Sequence, residues 1–201
     1  MIKAVFFDFD GVLTPDATGT LSIINHMDKL GYDRLTFEAA YRRHNFDFLY
    51  GLKTHQEAWP QICQDYGSDI SFDALKDAFH KTPQDPGMFE LAYHLKSQGY
   101  IIGMITDNKR DRIMDFLTYN DHLALFDRLV ISADVGSGKK QEEIFKVSLK
   151  DLDPRTCVFI DNSLANLRVP GDLGMHTFFY DHEKRDFKGL VEGLKSLGIK
   201  V

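Results

Sequence analysis

From residue 100 onward the chain repeats one pattern, and that pattern limits its fold more than any other feature. Short apolar runs, YIIGMI (Tyr100 to Ile105), RLVIS (Arg128 to Ser132), CVFI (Cys157 to Ile160) and HTFFY (His176 to Tyr180), alternate with helical periodicity. The helical stretches lie around Arg110 to Tyr119, Glu142 to Leu149, Ser163 to Leu173 and Phe187 to Leu197. Strands alternating with helices fold into a parallel sheet whose crossovers cover both faces. Ala4 to Phe7 reads as one more buried strand of the same kind.

The segment from about Pro15 to Asp85 breaks the pattern. Leu21, Ile24, Met27 and Leu30 recur at helical spacing with Gly31 as a stop, THQEAW carries a capping box in Thr54 and Glu57, and FDALKDAF continues the theme. This predicts a helical insertion after the first strand. The prolines of TPQDPG, Thr82 to Gly87, form the return linker, with helix resuming at Met88 to Ser97. The expected division is residues 1–14 and 87–201 for the sheet, and 15–86 for the insertion and its hinges.

Composition narrows the function. With 30 acidic and 24 basic side chains the net charge is −6, and no basic run suggests a nucleic-acid surface. An anionic substrate then needs a local cation or a metal. Cys63 and Cys157 lack metal spacing and fit a reducing compartment, with Cys157 packing as a small hydrophobe. No apolar stretch suits a signal peptide or a membrane span, so a cytoplasmic protein is expected.

At the end of the first strand, KAVFFDFDGVLTPD places Asp8 and Asp10 two residues apart. On a regular strand they would face opposite ways, and only a break, which Gly11 supplies, lets both face one site. A bare pair of this kind equally well reads as two surface carboxylates. Three further groups follow strands in the same manner: Thr106-Asp107-Asn108, Asp161-Asn162-Ser163, and the SADVGSGKK loop with Lys139. At the carboxyl edge of a parallel sheet all four converge on one crevice. Asp8, Asp10 and Asp161 would form an oxygen-rich cluster suited to Mg²⁺, while Lys139, a threonine hydroxyl and loop N–H groups suit phosphate. The set predicts phosphoryl transfer.

These residues resemble the haloacid dehalogenase superfamily over nearly the whole chain: DFDGVLT its first motif, ITDN the second, Lys139 in SADVGSGK the third, and FIDNSLANL the fourth. The resemblance implies a Rossmann-like parallel sheet with an inserted α-helical cap. It also implies Asp8 as nucleophile and Asp10 as acid and base, a role that favours a pKa well above that of its neighbour. Thr106 and the Asp107 N–H would bind the phosphoryl group, Lys139 would neutralise charge, and Asp161 would hold Mg²⁺ with Asp8 and the Asp10 carbonyl. Asn162, a possible further metal ligand, stands where many relatives carry a second acid. Lys140 replaces the usual proline, and the spacing from Ser132, Gly136 and Ile144-Phe145 selects Lys139 as the motif lysine. GLKTHQEAW is similar to a stretch of small sugar-phosphatase-like members.

The expected activity is Mg²⁺-dependent hydrolysis of a small phosphorylated metabolite, whether sugar phosphate, nucleotide or small organic phosphate. A phosphomutase using the same site and an inactive binding protein are the alternatives. A metal-free dehalogenase does not need Asp10 or the carboxylate cluster. GSGKK is no P-loop, since Ala133 and Lys140 stand where that motif needs glycine and a hydroxyl residue. No oligomeric state is read from the sequence. The insertion is expected to act as a mobile lid, with specificity in Arg42 to Trp59. His26, His44 and His55 are expected at the surface or in cap packing, and Trp59, Phe46, Phe48 and Tyr50 in the cap core.

Overall fold

The computed structural model describes all residues, Met1–Val201. Five parallel strands, β1 (Ala4–Phe7), β2 (Ile101–Thr106), β3 (Arg128–Ile131), β4 (Cys157–Asp161) and β5 (His176–Phe179), form one sheet in the order β3-β2-β1-β4-β5. The chain steps outward from β1 to β3 and then crosses to the other side of β1. That reversal opens a crevice at the carboxyl edge between β1 and its neighbours, the usual ligand position in open α/β sheets.

Alternation within each strand builds two cores. Val5, Phe7, Met104 and Ile160 point to one face, where α6 (Pro86–Ser97), α7 (Arg110–Tyr119) and α11 (Phe187–Ser196) supply Ala92, Phe116 and Leu190. Phe6, Ile105 and Phe159 point to the other, against Phe145 of α9 (Glu142–Leu149) and Leu167 of α10 (Leu164–Asp172). A short helix, α8 (Ser132–Val135), follows β3. The central strand is apolar on both faces because both are covered.

Between β1 and β2 five helices pack around their own core: α1 (Gly19–Lys29), α2 (Arg34–Arg42), α3 (Asn45–Leu49), α4 (His55–Tyr66) and α5 (Phe72–His80). Ile24, Met27, Phe37, Tyr41, Trp59 and Phe79 lie at its centre. The Thr54–Glu57 capping box opens α4 and Gly31, in the left-handed region at φ 91°, follows α1. Three local expectations change. Leu21 and Leu30 are exposed, since the buried stripe of α1 runs through Thr20, Ile23, Ile24 and Met27 and shares only Ile24 and Met27 with the predicted one. Phe46 is exposed and stacks on Tyr50, while Phe48 is buried. Pro86 does not end a helix but begins one: it occupies the first turn of α6, where its missing N–H is no loss, and Asp85 caps it through the Met88 N–H.

Several hydrogen bonds join the helical insertion to the sheet core. The Asp85 N–H donates to the Leu13 carbonyl at 2.9 Å, so the two connecting strands touch. Arg185 crosses both, pairing with Asp85 and donating to the carbonyls of Val12 and Thr14. At the far side Ser132 Oγ donates to the Leu49 carbonyl at 2.8 Å. His55, wholly buried, donates its backbone N–H and its Nδ1–H to Asp111 of α7 at 2.9 and 2.7 Å, and its Nε2 accepts the Tyr41 hydroxyl at 2.7 Å. The carboxylate fixes the tautomer, because it only accepts.

Candidate active site

Asp8 leaves β1 with its N–H still paired to the Ile160 carbonyl, and the chain then turns at once through one wide helical turn, Phe9–Leu13. Gly11 makes the turn possible twice over. Its φ is 83°, and a Cβ there would come 2.1 Å from Asn162 Nδ2. Asp8 and Asp10 consequently flank the same cavity, which has a volume of 320 Å³ and also takes in Thr106, Asp107, Lys139 and Asn162.

Lys139 lies at the centre of the charge arrangement. Its ammonium is 2.7 Å from Asp8 Oδ2 and 2.6 Å from Asp161 Oδ2, and all three side chains are almost completely buried. Lys140 is exposed. Asp107 places the lysine loop by accepting the Lys139 backbone N–H at 2.8 Å. Asp161 also accepts the Ser163 N–H at 2.7 Å and the Asn166 amide at 3.1 and 3.2 Å. Burial, only partly offset by Lys139 and reinforced by Asp161, pushes Asp8 up to about 8. Two carboxylates share one ammonium, so the site is short of positive charge.

Asp10 departs from expectation. The sequence places its carboxylate in a cluster with Asp8 and Asp161, but no three acidic, histidine or cysteine side chains gather at metal-binding spacing. Arg112 of α7 takes Asp10 instead, Nη1 to Oδ2 and Nη2 to Oδ1 at 2.8 Å each, and Asn108 Nδ2 donates to Oδ2 at 2.8 Å. Burial, the largest single effect, would push the Asp10 carboxyl up, but the Arg112 guanidinium with help from Lys109 and Asn108 outweighs it and holds Asp10 below the usual carboxylate range. Arg112 is the largest fully buried side chain, and Gly19 makes room for it: a Cβ there would lie 2.0 Å from Nη1.

The insertion reaches the cavity through Thr18, Thr20, Arg42, Asn45 and Leu49. Within the predicted specificity stretch, Arg43 turns away to Asp65, Lys53 pairs with Asp47, and Trp59 is buried with Nε1 on the Ile70 carbonyl. Of those cations Arg42 alone lines the cavity. Sequence reasoning also missed Lys109, whose side chain is buried in the same wall.

A family model for haloacid dehalogenase-like hydrolases matches residues 2–170. The chain belongs to that family. Among curated proteins, this haloacid dehalogenase-like chain is 29% identical over 130 residues to the bifunctional riboflavin kinase/FMN phosphatase of Arabidopsis thaliana, covering 59% of the chain. The match spans 33% of that plant protein's length. In fold it is similar to a predicted HAD-like family hydrolase from Porphyromonas gingivalis, with TM-score 0.74, 21% identity, and 96% of this chain and 98% of that one covered. A HAD family enzyme from Bacteroides thetaiotaomicron, solved with magnesium and inorganic phosphate, superimposes with TM-score 0.71 at 23% identity, covering 89% of this chain and 94% of that one. The chain is thus a hydrolase-family member with a Rossmann-like α/β fold.

Proposed function

We propose that the protein is a Mg²⁺-dependent phosphatase that hydrolyses small phosphate monoesters through an aspartyl-phosphate on Asp8, with residues 15–86 as its cap. The observation that carries this reading is the Asp8–Lys139–Asp161 bridge, with Thr106 and Asp107 opening on the same cavity. A buried ammonium already lies between the two carboxylates, and the donors in reach are hard oxygens, so the residues fit a small divalent cation. Asp8, Asp161, the Asp10 carbonyl and Asn162 would hold it. Mg²⁺ bound there would draw charge from the phosphoryl oxygens and orient them toward Asp8.

An Asp8 oxygen attacks phosphorus while the ester P–O bond breaks; the leaving oxygen takes a proton from the minor protonated fraction of Asp10, and an acidic alcohol leaves as its anion without one. Asp10, now a carboxylate, removes a proton from water, which attacks the same phosphorus and releases phosphate and free Asp8. Covalent capture divides one difficult displacement into two easier ones. Arg112 makes the carboxylate the resting form of Asp10, which suits the second step and supports hydrolysis over retention of a phosphoenzyme. Thr106 and the Asp107 N–H would receive phosphoryl oxygens, and Lys139 would neutralise them.

Cavity chemistry supports a small polar substrate. Only Ala17 and Leu49 among its sixteen lining residues are apolar, and no aromatic ring is present to stack a base or flavin. The test is release of p-nitrophenol from p-nitrophenyl phosphate, alongside sugar phosphates, nucleotides and small organic phosphates, with and without EDTA. The reading expects turnover that chelation abolishes; turnover that survives chelation overturns the metal role.

A further inference from the structure

Three cations are buried at the cavity, and two are already matched. Lys139 is taken by Asp8 and Asp161, and Arg112 by Asp10. Lys109 is the third. Its side chain follows the phosphate-binding turn, the residue is 4% exposed, and the ammonium has one hydrogen bond, to the neutral Thr20 hydroxyl at 3.3 Å. No carboxylate lies within ion-pair distance. An ammonium withdrawn from water without an anion is costly, and proteins seldom keep one that a ligand does not use. Burial first, then the Arg112 charge, pushes Lys109 down to about 7, and Arg42 pushes it the same way.

Arg42 faces this lysine from the cap. It lines the same cavity, and its one ion pair, Nε to Glu38 at 2.6 Å, leaves both terminal nitrogens free. Two like charges from opposite domains are thus turned to one space, where an anion would relieve both. The position of that space is informative: Lys109 is close enough to act on Asp10, the group facing the leaving oxygen.

Building on the phosphatase reading, we propose that Lys109 and Arg42 form a second anion subsite, so that the substrate is a phosphate monoester whose alcohol carries its own carboxylate or second phosphate a few bonds from the ester oxygen. The subsite accounts for the buried cation and for a cavity lining without aromatic rings. It also gives the cap a way to sense the leaving group.

Matched esters test it on the full chain with Mg²⁺: 2-phosphoglycolate against 2-hydroxyethyl phosphate, 3-phosphoglycerate against glycerol 3-phosphate, and fructose 1,6-bisphosphate against fructose 6-phosphate. The wild type should favour the charged member of at least one pair by about tenfold or more in kcat/KM, the scale of one charge-assisted hydrogen bond. The carboxylate and bisphosphate pairs distinguish the two anion types. Lys109→Met should collapse that ratio toward one and Lys109→Arg should retain most of it. If Lys109→Met does not fold, Arg42→Met, at an exposed position, should reduce the ratio. Equal turnover of both members in every pair, or a preference unchanged by these substitutions, overturns the subsite alone. No turnover of any ester, p-nitrophenyl phosphate included, overturns the phosphatase reading and the subsite with it.

Discussion

Arg112 grips Asp10 with both terminal nitrogens, each 2.8 Å from a different carboxylate oxygen, although the two residues are 102 positions apart in the chain. Arg112 is fully buried and the Asp10 side chain is 12% exposed, toward the cavity, and Asn108 bonds to both partners, so the pair is a rigid part of the site. Its consequence is an Asp10 that rests ionised and aimed, with its protonated form held scarce.

Removing the guanidinium leaves a buried carboxylate alone. Arg112→Met should destabilise the fold by roughly 3–5 kcal/mol, the usual cost of breaking one side of a buried pair. Asp10→Asn combined with Arg112→Met should cost less than the sum of the two. Urea unfolding of the three variants measures this; additive effects, or a loss below about 1 kcal/mol, would contradict the pairing.

The same pair should show in substrate choice. Because Arg112 works against a protonated Asp10, esters of acidic alcohols, which leave without help, should be turned over faster than alkyl esters. Asp10→Asn should then harm alkyl esters more than aryl esters. A series of aryl and alkyl phosphates, plotted as log kcat/KM against leaving-group pKa, reads both effects: the slope should be negative and steepen in Asp10→Asn. Parallel lines for the two proteins would remove Asp10 from leaving-group protonation.

His55 gives the seam between the helical insertion and the sheet core a pH dependence. Its unfolded value is 6.5, and burial, outweighing the help of Asp111, lowers it in the fold. As pH falls below about 6.5 the unfolded chain takes up the proton first, so stability that is complete above that value is lost as pH drops through the lower folded one. Thermal unfolding at pH 7.5 and 5.5 should show a larger drop for wild type than for His55→Gln. Equal drops would mean that His55 is not held neutral.

What the sequence discloses follows from what physics repeats along a chain. Strands β1, β2 and β4 are legible because a central parallel strand must be apolar on both faces, the edge strands β3 and β5 because they recur between helical stretches, and Asp8, Thr106, Lys139 and Asp161 because each lies at the end of a strand or in the loop that follows it. Arg112 was hidden because RDRIMDF reads as a solvated helix surface. Yet Arg112 shares the buried face of α7 with Ile113 and Phe116, and an arginine on the apolar side of an amphipathic helix was the available signal. The His55–Asp111 contact was beyond reach, since it depends on how two separate cores meet. The outward turn of Arg43 and Lys53 was equally hidden, because carboxylates in reach on the helical insertion, Asp65 and Asp47, claim them.

The central claim is a covalent phosphate on Asp8, and intact-protein and peptide mass spectrometry tests it most directly. Asp10→Asn, incubated with p-nitrophenyl phosphate and Mg²⁺ and quenched in acid, should gain one HPO₃ unit on the peptide containing Asp8, because water attack is slowed while capture of an acidic leaving group proceeds. Asp8→Asn treated in the same way should gain none. Phosphate on another residue, or an equal gain in Asp8→Asn, would contradict the account.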